Sequence, residues 1–449
     1  MSEPYSAADS WKFCQVFGDR AKLEDIVEAD IISTVQFNDD GNMLAVGDRG
    51  GRVVLFKRAA DAKSRRSVRN VEYKYYAEFQ SHQAEFDYLR SLEIDERINK
   101  ICWLPQQNNS TLLLTTNDKT IKLWKVQDKV SKRITYERDS YINTRSRSSS
   151  QPLRVPQLVP EGVSPSSSCK RVFANAHAYS INSLSLNIDG DTFLSADDLR
   201  IHLWHLGDNS EAFSMVDIKP DNMEELSEVI TTASCSPAHC NYFMYGTSKG
   251  VVNLADMRQS AICSGGAKRF AVPPRPSNPN NSYFNEILSS IGDAKFSNSG
   301  RYILTRDYLT VKLWDVNMES RPIKNLCVHE QLRSNLCDVY KNDCIFDKFD
   351  CQWSGDDSQF MTGSYGHLFN IYETQSTNVT TLEATRSMYK KNATSKTPFP
   401  KKPSKGKGLH EVKFAPEDFS RKILSSSWHP KENTVAIGAT TNLFIYTYS

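Results

Sequence analysis

The chain has 449 residues, more than one ordinary core requires, and a formal net charge of +2, so it projects no strong field toward nucleic acid or an anionic membrane. No run of about 18 apolar residues occurs, so no membrane span is expected. The opening MSEPYSAADSWKFCQVFGDR lacks the basic start and apolar stretch of a signal peptide, and ten cysteines stand singly without a Cys-x-x-Cys pair. That usage fits reduced thiols, and a cytoplasmic location, with the nucleus as a second compartment, is expected.

The first regular element, Trp11 to Phe17 (WKFCQVF), alternates like a strand. A repeat then sets in. Its seven units are GDRGGRVVLF ending at Phe56, TNDKTIKLW at Trp124, SADDLRIHLW at Trp204, GTSKGVVNLA at Ala255, TRDYLTVKLW at Trp314, GSYGHLFNIY at Tyr372 and GATTNLFIY at Tyr446. Each enters an alternating strand from small or polar turn residues and follows another short apolar strand. One strand earlier lies an anchor: Phe37, Trp103, Leu186, Cys235, Phe296, Trp353 or Trp428. From anchor to closing residue is 18 to 21 positions in every unit. Constant spacing inside units, with variable material between them, is the signature of WD-type blades.

Seven four-stranded blades of about 40–45 residues need roughly 300, so the rest is insertion. Residues 126–170 form one insertion, charged and Ser-rich, and residues 389–408 form a Lys-rich surface loop. The last repeat runs only three residues past Tyr446 and lacks an outer strand; Trp11–Phe17 is predicted to supply it and close the ring. The fold class predicted is therefore all-β, a single seven-bladed propeller over 1–449.

In a WD blade the turn between the second and third strands lies on one face of the ring, the top. These turns carry Asp48, Asp118, Asp197, Asp198 and Asp307, so carboxylates are expected to gather there. An Asp six residues before the closing Trp commonly bonds a His inside the blade. Asp118 and Asp198 have that spacing, and Asp197, one residue out of register, is left to face solvent. No nucleophile-elbow, zincin or P-loop pattern occurs, and the nine histidines are dispersed, so no catalytic residue, metal or cofactor is assigned. Specific nucleic-acid binding is not expected either, because aromatic interleaving of a basic patch is missing apart from Phe399 inside the lysine-rich loop.

Longer blocks carry a resemblance. EFDYLRSLEIDERINK (Glu85 to Lys100), FANAHAYSINS (Phe173 to Ser183), VDIKPDNMEELSEVIT (Val216 to Thr231), GRYILTRDYLTVKLWD, NDCIFDKFDC (Asn342 to Cys351) and WHPKEN (Trp428 to Asn433) are similar to the WD-repeat B-type regulatory subunits of protein phosphatase 2A. The resemblance spans the chain outside the two insertions. It implies a non-catalytic, substrate-selecting subunit of a heterotrimer with a scaffold and a catalytic subunit. Its substrates and inhibitors would be phosphoproteins with basic flanking residues. It also implies a β-hairpin arm from the second blade, here 126–170, gripping the scaffold.

Carried over position by position, the resemblance assigns the substrate surface to Glu28, Arg49, Glu96, Arg97, Asp198, Leu226, Tyr283, Phe284, Tyr340, Phe346 and Lys348; Asp197 joins them as the freer neighbour of Asp198. The sequence departs from the family at Ser180, where His is usual, at Lys341, where an acid is usual, and at Arg97, where Lys is usual. Arg145, Arg147 and Ser148 to Ser150 in the arm form a basophilic phosphorylation pattern. The rival reading is a substrate receptor for a cullin-type ubiquitin ligase, but its Trp-Asp-x-Arg motif is incomplete at both Ala255–Arg258 and Trp314–Asn317.

Overall fold

The computed structural model describes residues 11–18, 26–59, 72–88, 91–106, 110–136, 156–207, 211–263, 268–272, 282–385 and 419–448. The Ser148–Ser150 pattern and the 389–408 loop lie outside them. The described chain is nearly all β: seven four-stranded antiparallel sheets, one two-stranded hairpin, and two short helices, α1 (Ser282–Ser289) and α2 (Leu336–Lys341).

The innermost strands of the sheets are Ile32–Phe37, Lys100–Trp103, Ser183–Leu186, Ile230–Cys235, Ile291–Phe296, Cys351–Trp353 and Ser425–Trp428. They touch one another in cyclic order, and the first also touches the last, so the sheets close into a ring. We number them blades one to seven. Each sequence anchor lies on one of these strands. The second strands are sandwiched between neighbouring blades: Met43–Asp48 and Thr434–Ala439 are buried at every position.

The inner strands leave backbone donors facing the next blade, and short hydroxyl side chains accept from them. Ser425 and Ser427 of blade seven accept from the Val35 and Phe37 amides of blade one at 3.1 and 3.0 Å. Ser183 and Ser185 of blade three do the same for Ala233 and Cys235 of blade four, at 2.9 and 3.0 Å. The indole N–H of Trp103 donates back to the Gln36 carbonyl at 2.9 Å.

Trp11–Phe17 pairs antiparallel with Asn442–Tyr448 as the outermost strand of blade seven, in register from Trp11↔Tyr448 to Phe17↔Leu443. This sheet is built from both ends of the chain, so separating the ends requires opening a sheet.

Connectivity fixes the faces. Turns between second and third strands share one face with the crossovers from each outer strand to the next inner strand. Turns between third and fourth strands open on the other face. The arm is of the second kind. Ile121–Tyr136 and Pro156–Phe173 are the third and fourth strands of blade two, and they pair from Ile121↔Phe173 to Tyr136↔Pro156. Only Ile121–Gln127 keeps a partner, Ser110–Thr116, on its other side. From Asp128 onward the arm is a two-stranded ribbon. Its Ser- and Pro-rich run, whose composition suggests an irregular excursion, is a paired strand.

Buried histidines make the ring acid-sensitive, His82 and His202 among them; burial pushes His329 and His429 below their ordinary value as well. Burial, reinforced by Lys122, pushes His82 from 6.5 to about 3; burial, reinforced by His177, pushes His202 from 6.5 to about 4. The folded state holds both unprotonated where the unfolded chain takes up protons. Stability is thus full above pH 6.5 and falls as pH drops toward these values, by about 2 kcal/mol per group at pH 5, and in all by about 3 kcal/mol for His202 and about 4–5 kcal/mol for His82. The melting temperature is expected to hold from pH 7.5 to about 6.5 and to fall from there to about pH 5, and His202→Gln should lessen that dependence.

Candidate functional site

The structure exchanges the roles that spacing suggested for Asp197 and Asp198. Asp197 is fully buried. His177 Nδ1–H donates to its Oδ2 at 3.0 Å, the Ser195 hydroxyl donates to His177 Nε2 at 2.6 Å, and the Trp204 indole donates to Ser195 Oγ at 2.8 Å. The other carboxylate oxygen accepts the Leu199 and Arg200 amides at 2.8 and 2.7 Å. Burial alone would raise the Asp197 pKa; these bonds outweigh it and hold the carboxyl below its ordinary value. Asp197 is therefore a blade-locking residue, buried and not free to face solvent as its spacing suggested.

The cause is a turn register. The residue just past or ending the second strand caps the tight turn, and the next residue turns to the ring axis. Asp48 accepts the Arg52 amide at 2.8 Å, Asn117 the Thr120 amide at 2.8 Å, and Asp307 the Thr310 amide at 2.6 Å, as Asp197 does for Arg200. Arg49, Asp118 and Asp198, which follow Asp48, Asn117 and Asp197, line one cavity; Tyr308, which follows Asp307, is buried and does not. Asp197→Ala is expected to cost about 2–4 kcal/mol, since it strands His177 and two amides, while Asp198→Ala costs under about 1 kcal/mol. Urea unfolding of the two variants side by side checks this.

That cavity is the top mouth of the central channel, about 550 Å³ in volume, with lining residues from all seven blades. Its cations are Arg49, Arg97, Lys100, Lys348 and Lys422. Its carboxylates are Asp118, Asp198, Asp293, Asp347 and Asp350. The expected gathering of acids is present, but interleaved with bases. Lys100 pairs with Asp350 at 3.0 Å, and Lys422 with Asp347 at 2.5 Å. Enclosure pushes Asp198 up and Lys348 down, and attraction between the two opposes both shifts. Sequence reasoning missed Lys100, Asp293, Asp347, Asp350 and Lys422. Their signal was position: each begins, lies within or shortly precedes an inner strand.

Of the assigned residues, Arg49, Arg97, Asp198, Phe346 and Lys348 line this cavity together. Glu28, on the exposed turn Glu28–Asp30, reaches it through an ion pair to Arg49 at 2.5 Å. Phe284 on α1, Tyr340 on α2 and Phe346 form an aromatic chain beside it, with ring centroids 6.0 Å apart at each step. Phe346 is 57% exposed. Tyr283 also lies on α1; its side chain is outside the described residues. Glu96 stands apart from the cavity lining, against the Gly51 turn of blade one. Leu226 is half-buried at the end of the turn Met223–Glu225, in the crossover leading to Ile230, whose amide bonds the Asp198 carbonyl at 2.7 Å. Lys341, on α2 next to Tyr340, makes an exposed pair with Asp338 at 3.7 Å. Ser180 lines the cavity.

A ring of four-stranded blades with a His–Asp–Ser–Trp network inside one of them defines a WD-repeat β-propeller, an architecture generally used for non-catalytic protein interaction. The family model described as "WD domain, G-beta repeat" matches residues 167–205, the repeat that holds this network. Along 98% of its length the chain is similar in fold to Raptor of Chaetomium thermophilum, seen in a crystal structure, with a TM-score of 0.54 and 12% identity. It spans 30% of that chain. Identity at this level speaks for the fold alone.

Proposed function

We propose that this chain is the substrate-selecting regulatory subunit of a protein phosphatase 2A heterotrimer. One observation carries the reading. Residues that the family resemblance assigns to a substrate surface, from Arg49 to Lys348, come from distant parts of the chain and line one cavity beside an exposed aromatic chain. Asp198 and Glu28 offer attraction to lysine and arginine of a phosphoprotein. Phe284, Tyr340 and Phe346 offer an apolar floor for its hydrophobic side chains. The arm, on the opposite face, would hold the scaffold, leaving the top free. The chain contributes selection and placement, and the catalytic subunit contributes the chemistry.

The test is a dephosphorylation assay with the purified scaffold–catalytic pair. Adding this chain should raise turnover of a phosphothreonine peptide flanked by arginine and lysine over the same peptide flanked by glutamate. An unchanged ratio refutes the reading. Affinity capture from cell extract separates the rival class: recovery of cullin adaptors in place of phosphatase subunits would support a ubiquitin-ligase receptor.

A further inference from the structure

The axis-facing turn position that carries Arg49, Asp118 and Asp198 in blades one to three is occupied by Tyr308 in blade five and Tyr365 in blade six. Neither tyrosine lines the cavity; both are buried. Their hydroxyls meet at 3.1 Å beneath the crossover that carries Phe346 and Lys348. The Tyr365 hydroxyl also lies 2.8 Å from the Cys344 carbonyl and 2.9 Å from Asp347 Oδ2. Lys422 takes the other Asp347 oxygen at 2.5 Å. Asp347 is the residue between Phe346 and Lys348, so its two bonds fix the segment that presents both. The Tyr365 ring is held in turn by Phe349 and Phe419, with centroids 5.0 and 5.1 Å away. Gly363 permits the approach: a Cβ there would stand 2.0 Å from the Ile423 carbonyl oxygen.

The segment needs such a hold. It turns through Asp343 at φ 56°, then a single 3-10 turn, Cys344–Phe346, which supplies little rigidity of its own. Phe346 is largely exposed, so packing does not fix it from above.

We propose that Tyr365 and Lys422, acting through Asp347, are positioning residues that hold Phe346 and Lys348 in the geometry a bound phosphoprotein meets. This rests on the reading of the top face as a substrate surface. One buried hydroxyl, backed by a second, and one ammonium hold a single carboxylate whose neighbours on both sides are assigned to that surface.

The test uses the full chain and two variants, Tyr365→Phe, which removes only the hydroxyl, and Lys422→Met at a partly exposed site. Amide hydrogen exchange at residues 344–349 is expected to accelerate in both, with exchange elsewhere in the ring unchanged. Affinity for a synthetic phosphothreonine peptide flanked by arginine and lysine should fall about three- to tenfold, the range of one buried hydrogen bond. In a Phe346→Ala, Lys348→Ala background the same substitutions should no longer alter affinity, because the groups being positioned are gone. A merely stabilising role predicts no such loss of coupling. Unchanged exchange at 344–349 in both variants overturns the proposal, as does an affinity loss that persists undiminished in that background. A wild-type chain that does not bind the peptide refutes the substrate reading instead, while the exchange comparison still decides whether Tyr365 and Lys422 hold the segment.

Discussion

Asp198→Lys is expected to lower affinity for a basic-flanked phosphopeptide at least tenfold while the propeller keeps its melting temperature. The structural work at this turn belongs to Asp197, which takes the His177 and amide bonds. Asp198 is only half-buried and faces Lys348 across the cavity. Reversal replaces an attraction to substrate lysine or arginine with repulsion and adds a second cation beside Lys348. A close charged pair of this kind is worth about 1.5–5 kcal/mol, and tenfold needs only about 1.4 kcal/mol. Scaffold binding should persist, since the arm opens on the opposite face. Calorimetric melting, scaffold affinity and peptide turnover on one preparation decide the matter. A variant with normal turnover contradicts the assignment, and so does one that fails to fold.

Replacing the free part of the arm, residues 128–165, with a short Gly/Ser linker is expected to leave a folded propeller and weaken scaffold binding at least about hundredfold, near 2.7 kcal/mol. The cut follows the pairing. Ile121–Gln127 is still the third strand of blade two, and Val126 is buried, so a deletion of 126–170 would damage the blade itself. Beyond it, Val130 pairs with Val163 and Ile134 with Leu158, and all four side chains are more than half exposed. Apolar cross-strand pairs standing in solvent are the material of an interface centre. Gel filtration with the scaffold measures the loss; undiminished complex would show that other loops make the contact.

The ring was legible because its determinants are local and repeated. The anchors from Phe37 to Trp428 and the closing residues from Phe56 to Tyr446 recur at nearly fixed spacing, and the unmatched last repeat left one place for Trp11–Phe17. The site was less legible because the repeat turns supply only part of it, and crossovers that share no repeat supply Arg97, Phe346, Asp347, Lys348 and Lys422. Nothing in the periodicity announces that Lys100, Asp350 and Lys422 share a cavity, since each comes from a different blade. The exchange of Asp197 and Asp198 turned on one residue: counting back from Trp204 ignores which of two adjacent carboxylates caps the turn, and only the Leu199 and Arg200 amides decide it. The short helices α1 and α2 were not foreseen either. They are held by a small apolar cluster that includes Leu288, Val339, Phe349 and Tyr365, contributed by several crossovers and turns.

The most direct measurement is reconstitution. The purified 449-residue chain is mixed with the purified scaffold and catalytic subunits of protein phosphatase 2A and passed over a sizing column with light scattering. The expected result is a single species with the mass of a one-to-one-to-one heterotrimer. Elution of the chain as a free monomer beside an unaltered scaffold–catalytic pair would contradict the proposed function outright.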